Sequence, residues 1–369
     1  MRCTFCLTFD NTKLANCAVC GAPLPSDATS HVAPTSSTRS STTPQKSITD
    51  ATTLSHVVTI QTAREVLSTA FLCNTRRGET KIAALLDDGS AHSWRVQNND
   101  VSQIETRELL APLRHAPTLA VCNHEIAWTT RDEILTARPF STSATSNDPT
   151  SSTRCCEFRF SSPICRVAAS SENAHIAVAT TDGQVHLLGF SNDAISSLWS
   201  VDTLRGVTAL AISGDAEKIA VGDDNGHLAL WNRKNARDCW TTDTQSLWVA
   251  GAAFSPNSHA LAMVDCNGVL QIRAAQNSAN LQKIVLDFAP NALCLLNDNR
   301  HLIAIDAHRF SLIDSWTGQT VSHVLKSQNE ETASESAHLC GAFVCGASEE
   351  NLFAVAASRE IQLWRFECL

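Results

Sequence analysis

The sequence predicts an all-β protein, namely a seven-bladed β-propeller preceded by a small four-cysteine zinc finger and a disordered linker. Two observations predict the propeller: a hairpin motif recurs every ~42–47 residues, and each repeat holds four short strands without helical periodicity. The third observation is a group of four cysteines near the N-terminus, which predicts the finger. The expected boundaries are 1–25 for the finger, 26–55 for the linker and 56–369 for the propeller.

The recurring motif is a tight turn between two apolar strands. It contains Asp-Gly or Asn-Gly, the strongest short hairpin signal, because these residues tolerate the positive φ that such turns need. The clear copies are residues 87–94, 181–188, 224–231 and 266–273, the weaker copies are 303–312 and 353–364, and a degenerate copy is 125–139. Counting these copies predicts seven blades.

The two ends of the propeller segment predict how the ring closes. The last repeat stops at 366–369, directly after its third strand, whereas the strand at 56–61 precedes the first repeat and has no partner of its own. If 56–61 supplies the missing fourth strand, the two ends pair and the ring keeps no open edge. We therefore expect one blade to be built from both ends of the segment.

Residues 56–369 resemble the WD-repeat propeller family. The segments 312–318 and 254–257 stand where that family places its apolar-Asp and Phe-Ser-Pro motifs. The chain departs from the family in having no Trp-Asp dipeptide; Trp231, for example, is followed by asparagine. The resemblance implies a divergent propeller whose surface loops bind protein partners.

The N-terminal cysteines Cys3, Cys6, Cys17 and Cys20 have the spacing C-x2-C-x10-C-x2-C. Zinc takes four thiolates at tetrahedral corners ~2.3 Å from the metal, and each C-x2-C turn presents two of them. The four thiolates complete the coordination sphere, so no position is left for a catalytic water. Because so short a segment cannot build a sufficient core, the metal would supply its folding free energy. We predict one structural Zn²⁺.

The segment 3–23 resembles the Ran-binding-protein type of zinc finger, including its NZF variant, and residues 17–23 look like the closing knuckle of that family. Members of the family bind ubiquitin or single-stranded RNA. Ubiquitin-binding members place Thr-Phe directly after the second cysteine and an apolar residue in the closing knuckle. Here Thr8 and Phe9 are shifted by one position, and Val19 takes the apolar place. The resemblance therefore implies Thr8, Phe9 and Val19 as ligand-binding residues.

RNA-binding members of this finger family stack a base on an aromatic ring and read base edges with arginines. The corresponding positions here are Asn11, Lys13 and Leu14. We therefore rank ubiquitin first as the finger's ligand and single-stranded RNA second. A dedicated protein partner is the third interpretation.

Composition narrows the class of partner and the compartment. The formal net charge is -9 and no Lys/Arg run occurs, which argues against nucleic acid, and DNA in particular, as the partner of the whole molecule. Neither an apolar signal region nor a stretch of ~20 apolar residues is present, so we expect no membrane association and a cytoplasmic or nuclear protein. In such a reducing compartment the 15 cysteines are free thiols or metal ligands.

The Ser/Thr/Pro-rich segment 26–55 offers too little apolar area to fold.

No motif in the chain carries catalysis. The segment 124–128 begins like a zincin helix but has Trp128 in place of the second histidine, and 346–350 almost makes a nucleophile elbow but ends in Glu350. The expected function is therefore a non-enzymatic, zinc-binding scaffold or adaptor whose propeller docks proteins. An RNA-associated factor and a propeller enzyme are the alternatives.

Overall fold

The structure is a computed structural model of the chain. It describes residues 52–74, 79–97, 100–108, 119–122, 126–139, 156–191, 194–203, 206–234, 237–244, 246–306, 308–325 and 352–368. The predicted finger and all but the last residues of the predicted linker lie outside these ranges. The first strand begins at Thr52, ahead of the predicted propeller boundary at residue 56.

All regular structure in the described residues is β. The opening strand is β1 (Thr52–Gln61), and blade 1 comprises β2 (Val66–Asn74), β3 (Glu79–Leu86), β4 (Ser90–Gln97) and β5 (Asp100–Glu108). Blade 2 comprises β6 (Leu119–Cys122), β7 (Ile126–Arg131), β8 (Ile134–Pro139) and β9 (Cys156–Arg159). Blade 3 comprises β10 (Ile164–Ala169), β11 (His175–Thr180), β12 (Gln184–Ser191) and β13 (Ala194–Asp202).

The second half of the chain repeats this order. Blade 4 comprises β14 (Val207–Ile212), β15 (Lys218–Asp223), β16 (His227–Asn232) and β17 (Arg237–Asp243). Blade 5 comprises β18 (Val249–Phe254), β19 (Ala260–Asp265), β20 (Val269–Ala274) and β21 (Asn280–Val285). Blade 6 comprises β22 (Ala292–Leu295), β23 (His301–Ile305), β24 (Arg309–Asp314) and β25 (Thr320–Val324), and the last strands are β26 (Leu352–Ala357) and β27 (Glu360–Cys368).

The strands form a β-propeller with six four-stranded blades in the described residues, where the repeats predicted seven. Each blade is an antiparallel meander whose strands pair in chain order. The remaining sheet, which we call the closing sheet, has three strands in the order β1-β27-β26. The closing sheet has no first strand among the described residues. By comparison with the six blades that strand would fall within 326–351, and these residues lie outside the described ranges.

The predicted pairing of the two ends is confirmed. Strand β1 is antiparallel to β27, with Thr52 opposite Cys368 and Gln61 opposite Glu360. The register shifts between His56 and Val58, which leaves Val57 without a partner. The fourth strands of blades 1, 3, 4 and 5 have the same single-residue bulge against their third strands. Strand β1 therefore takes the place of a fourth strand, although it comes first in the chain.

The core lies between the sheets. The second strands of blades 3 to 6 are buried on both faces because a neighbouring sheet covers each face. In β19, for example, every residue from Ala260 to Asp265 is buried. Seven hydrophobic clusters of described residues each join two neighbouring sheets, and together they run through all six blades and the closing sheet. The ring is therefore continuous.

The predicted glycine turns are confirmed, with one difference in geometry. Gly89, Gly183, Gly226 and Gly268 all have φ between 78° and 86°. The residue before each glycine does not have positive φ, and the glycine N–H donates to the carbonyl three residues earlier. This is a four-residue turn with glycine last, in which only glycine needs the left-handed conformation.

Candidate functional site

The propeller has two faces that differ in how they are built. We call one the belt face; it carries the turns between first and second strands. We call the other the hairpin face; it carries the turns between second and third strands and the links that join one blade to the next. The links that follow blades 3, 4 and 5 each begin beside the turn glycine of their own blade, as when Thr244 N donates to Gly226 O at 2.9 Å.

On the belt face, hydrogen bonds join the turns of blades 3, 4, 5 and 6 to one another in that order. The Ser170 hydroxyl donates to Gly214 O at 2.5 Å, and Gly214 N donates to Ser258 Oγ at 3.2 Å. One blade further on, Asn257 N donates to Asn299 Oδ1 at 2.9 Å. The polar groups of this face are therefore largely engaged within the protein across blades 3 to 6.

On the hairpin face, buried carboxylates hold the turns closed. Asp265 is 1% exposed, and its Oδ1 accepts hydrogen bonds from the N–H groups of Asn267 and Val269, both at 2.9 Å. Asp223 does the same for Asn225 and His227 in blade 4. A carboxylate that accepts two backbone hydrogen bonds keeps its turn in one conformation. The turns of blades 4 and 5 therefore form a preorganised surface.

The link between blades 4 and 5 presents two large apolar side chains to solvent. Leu247 is 71% exposed and Trp248 is 45% exposed. The other exposed large apolar residues in the described part of the chain lie singly on outer strands; they are Leu198, Val285 and Val321. Among the described residues, Leu247 and Trp248 are thus the sequence-adjacent pair of exposed large apolar side chains, and they lie on a link.

The backbone beneath this pair is fixed at both ends. Trp248 O accepts a hydrogen bond from Cys266 N at 3.2 Å, which attaches the link to the blade 5 turn. The Ser246 hydroxyl donates to Asp265 Oδ2 at 2.5 Å and accepts one from Asn267 Nδ2 at 3.2 Å. Leu247 and Trp248 are therefore held out into solvent by a link that spans two blades.

The described charged residues on the part of the hairpin face that includes the pair are predominantly acidic. In the described turns and links of blades 4, 5 and 6, the acidic residues are Asp202, Asp223, Asp224, Asp243, Asp265, Asp287 and Asp306. Arg309 is the described arginine or lysine of these segments, and it pairs with Asp287 at 2.8 Å and with Asp306 at 3.5 Å. His227 lies 3.4 Å from Asp223 and 3.7 Å from Asp243. The net field at this part of the hairpin face is negative.

Elsewhere in the described residues, burial and hydrogen bonds shift the pKa of several titratable groups. Burial raises the pKa of the Cys165 thiol, which reduces its thiolate fraction and its nucleophilicity. Burial also lowers the pKa of His186, against the opposing effect of Asp182. Burial would raise the pKa of Asp298, but hydrogen bonds from His301 outweigh it and the pKa lies below its usual value. Within the part of the chain that the structure describes, no group of three His, Cys, Asp or Glu side chains is placed to hold a metal ion.

The residues predicted for the finger lie outside the described residues. These are the zinc ligands Cys3, Cys6, Cys17 and Cys20 and the ligand-binding residues Thr8, Phe9 and Val19. Of the two motifs that resemble catalytic ones, 346–350 also lies outside, whereas Ile126–Arg131, which contains Trp128, is strand β7 rather than a helix.

Sequence analysis missed the exposed pair on the hairpin face. Leu247 and Trp248 follow a polar run that reads Thr-Thr-Asp-Thr-Gln-Ser, and they directly precede the first strand of blade 5. The signal that could have found them is their position, since they fall between the end of one repeat and the start of the next.

The fold and its surface define the protein as a β-propeller with a preorganised hairpin face. No protein-family model matches the chain, and no curated protein matches it. No helix among the described residues is long and apolar enough to cross a membrane.

Proposed function

We propose that this protein is a non-enzymatic scaffold or adaptor whose propeller docks a partner protein on the hairpin face. The observation that carries the proposal is the exposed pair Leu247 and Trp248 on a link fixed by hydrogen bonds to the blade 5 turn. Burying a leucine contributes ~1.5–3 kcal/mol, and tryptophan is enriched among residues that dominate binding energy. Because the link is already ordered, a partner loses little free energy in fixing it.

A double variant tests the docking proposal. Tagged full-length protein is purified from its native cell as wild type, as Leu247→Ser/Trp248→Ser and as Leu198→Ser, and the co-purifying proteins are quantified by mass spectrometry. Leu198 is the matched control because it is an exposed leucine on the outer strand β13 of blade 3. We expect at least one protein to fall by about tenfold or more in the double variant alone. An identical set of proteins in all three samples would refute docking at this pair.

The N-terminal segment supplies the second part of the proposal. One structural Zn²⁺ is held by the thiolates of Cys3, Cys6, Cys17 and Cys20, and the finger binds a second ligand, with ubiquitin ranked first through Thr8, Phe9 and Val19. The support is the cysteine spacing and the resemblance to the Ran-binding-protein type of finger. A flexible linker would raise the effective concentration of a weakly binding finger near cargo held by the propeller.

Zinc analysis and a titration test the finger. Purified full-length protein should contain one equivalent of zinc, and Cys17→Ser/Cys20→Ser should lose it. Isotope-labelled ubiquitin titrated with the full-length protein should show chemical-shift changes that disappear in Thr8→Ala/Phe9→Ala. If the protein binds zinc but causes no chemical-shift changes in ubiquitin, ubiquitin is not the finger's ligand. Salt-sensitive binding of single-stranded RNA would then identify RNA as the ligand, and its absence would leave a dedicated protein partner.

A further inference from the structure

We infer that the patch around Leu247 and Trp248 binds a basic peptide segment that carries a large apolar side chain, an inference that rests on the proposed docking function. The apolar part of the segment would pack on Leu247 and Trp248, and its lysines or arginines would face the surrounding aspartates. The inference thus names the chemistry of the partner, which the docking proposal leaves open.

The apolar part of the patch is small. Leu247 and Trp248 are adjacent in the sequence and exposed, whereas the exposed Val285 of blade 5 lies singly on the outer strand β21. A two-residue anchor fits one large apolar side chain of a partner, which a short peptide segment can present.

Charge complementarity selects the sign of the peptide. Asp243, whose side chain is 58% exposed, ends the strand that leads into the link carrying Leu247. The exposed Asp224 lies in the blade 4 turn, with its carboxylate towards Gly206 of the preceding link. Asp287 is also exposed but is paired with Arg309, so it contributes less. On the outer strand beyond the turn, Lys283 is exposed near Val285. The acidic surface thus includes the strand that leads into the link carrying Leu247, and the basic residues of the peptide should lie beside its apolar anchor.

Fluorine NMR of the full-length protein tests the inference. The eight tryptophans are replaced by 5-fluorotryptophan, and the resonance of Trp248 is identified by its loss in Trp248→Phe. The probes are two short synthetic peptides with the same central leucine, one flanked by lysine and arginine and the other by glutamate. We expect the basic peptide to shift the Trp248 resonance and the acidic peptide to leave it unchanged. Raising salt from about 0.1 M to about 1 M should weaken the basic peptide about tenfold, because the Debye length falls from ~10 Å to ~3 Å.

Charge-removing variants provide the second measurement. Asp243→Asn should weaken binding of the basic peptide about tenfold, and Asp224→Asn should weaken it less because that carboxylate lies towards the preceding link. Glu172→Gln is the matched control because Glu172 is exposed on the belt face, and it should leave the affinity unchanged. Equal shifts from both peptides, or none from either, would overturn the inference. A molecular mass that doubles with concentration in wild type but not in Leu247→Ser/Trp248→Ser would also overturn it, by identifying a second copy of the chain as the occupant.

The two proposals fail separately. If co-purification depends on Leu247 and Trp248 but neither peptide shifts Trp248, docking stands and the basic-peptide chemistry is wrong. If co-purification is unaffected, the docking proposal is wrong whatever the peptides do.

Discussion

Single polar side chains determine the geometry of this propeller at its turns. A buried carboxylate such as Asp265 accepts two backbone hydrogen bonds and a third from the Ser246 hydroxyl. The preference of Asp, Asn and Gly for turns is visible in the sequence, so the turn positions could be predicted. The exposure of Trp248 could not, because tryptophan beside a strand is usually part of a core and only the fold shows that this one lies on a link.

At the residue scale, stability should depend on pH through His186. Burial lowers the pKa of His186 in the folded protein, so the unfolded chain binds more protons once the pH approaches the usual histidine pKa of ~6.5. Stability contributed by the neutral ring is therefore present above that value and is lost as the pH falls towards the folded pKa. Denaturant unfolding at about pH 7.5 and about pH 5.5 should show a smaller difference in His186→Gln than in wild type. His175, whose pKa is also lowered by burial, should add a similar effect in the double variant. An unchanged pH dependence in both variants would contradict this prediction.

At the scale of the element, the second strands of blades 3 to 6 could be predicted from the sequence because both of their faces are buried and apolar. Even the degenerate copy at 125–139 forms the strands β7 and β8. The bulges could not be predicted, since they depend on pairing with a partner strand and leave no mark in the composition. In the closing sheet, the pairing of the first strand with the last repeat was predicted from the chain order. The presence of only three described strands in that sheet was not predicted.

The turn between β19 and β20 gives a prediction at this scale. Gly268 has φ of 78°, and a Cβ there would lie 2.3 Å from Phe288 O, so Gly268→Ala should lose roughly 2 kcal/mol or more of unfolding free energy. Gly251 in the same blade is the control, because a Cβ there would meet its nearest neighbour, Val264, at 3.5 Å and no positive φ is required. Urea unfolding should show a clear loss for Gly268→Ala and little change for Gly251→Ala. Equal losses would refute the argument from backbone conformation.

At the scale of the whole molecule, closure of the ring depends on pairing between the first strand and the last repeat, and not on any single repeat. It was predictable because the first strand and the last repeat are each incomplete and complement one another. The docking patch was not predictable, because it combines a link, the turns of two blades and charges that are separated along the chain. The zinc finger, by contrast, is predicted from the spacing of four cysteines that are close together in the sequence, and it remains a prediction.

Truncation tests the closure. Removal of residues 1–51 leaves β1 whole, whereas removal of residues 1–61 deletes it and exposes one edge of β27. The longer truncation also removes Ile60, which is 6% exposed in the cluster shared by the closing sheet and blade 1. We expect the shorter truncation to melt near wild type, and the longer one to melt at a markedly lower temperature or to aggregate. A similar melting temperature for both would show that β1 does not stabilise the ring.

The register of the closing strand also determines how the ring responds to mechanical force. The first residue of β1 and the last residues of β27 are paired neighbours at one end of these two antiparallel strands, with Thr52 opposite Cys368. Tension applied at these two residues pulls perpendicular to the strands, so the hydrogen bonds break one after another and not all together. The ring should therefore open at low force when stretched from these ends, and it should resist far better when pulled from points in two different blades.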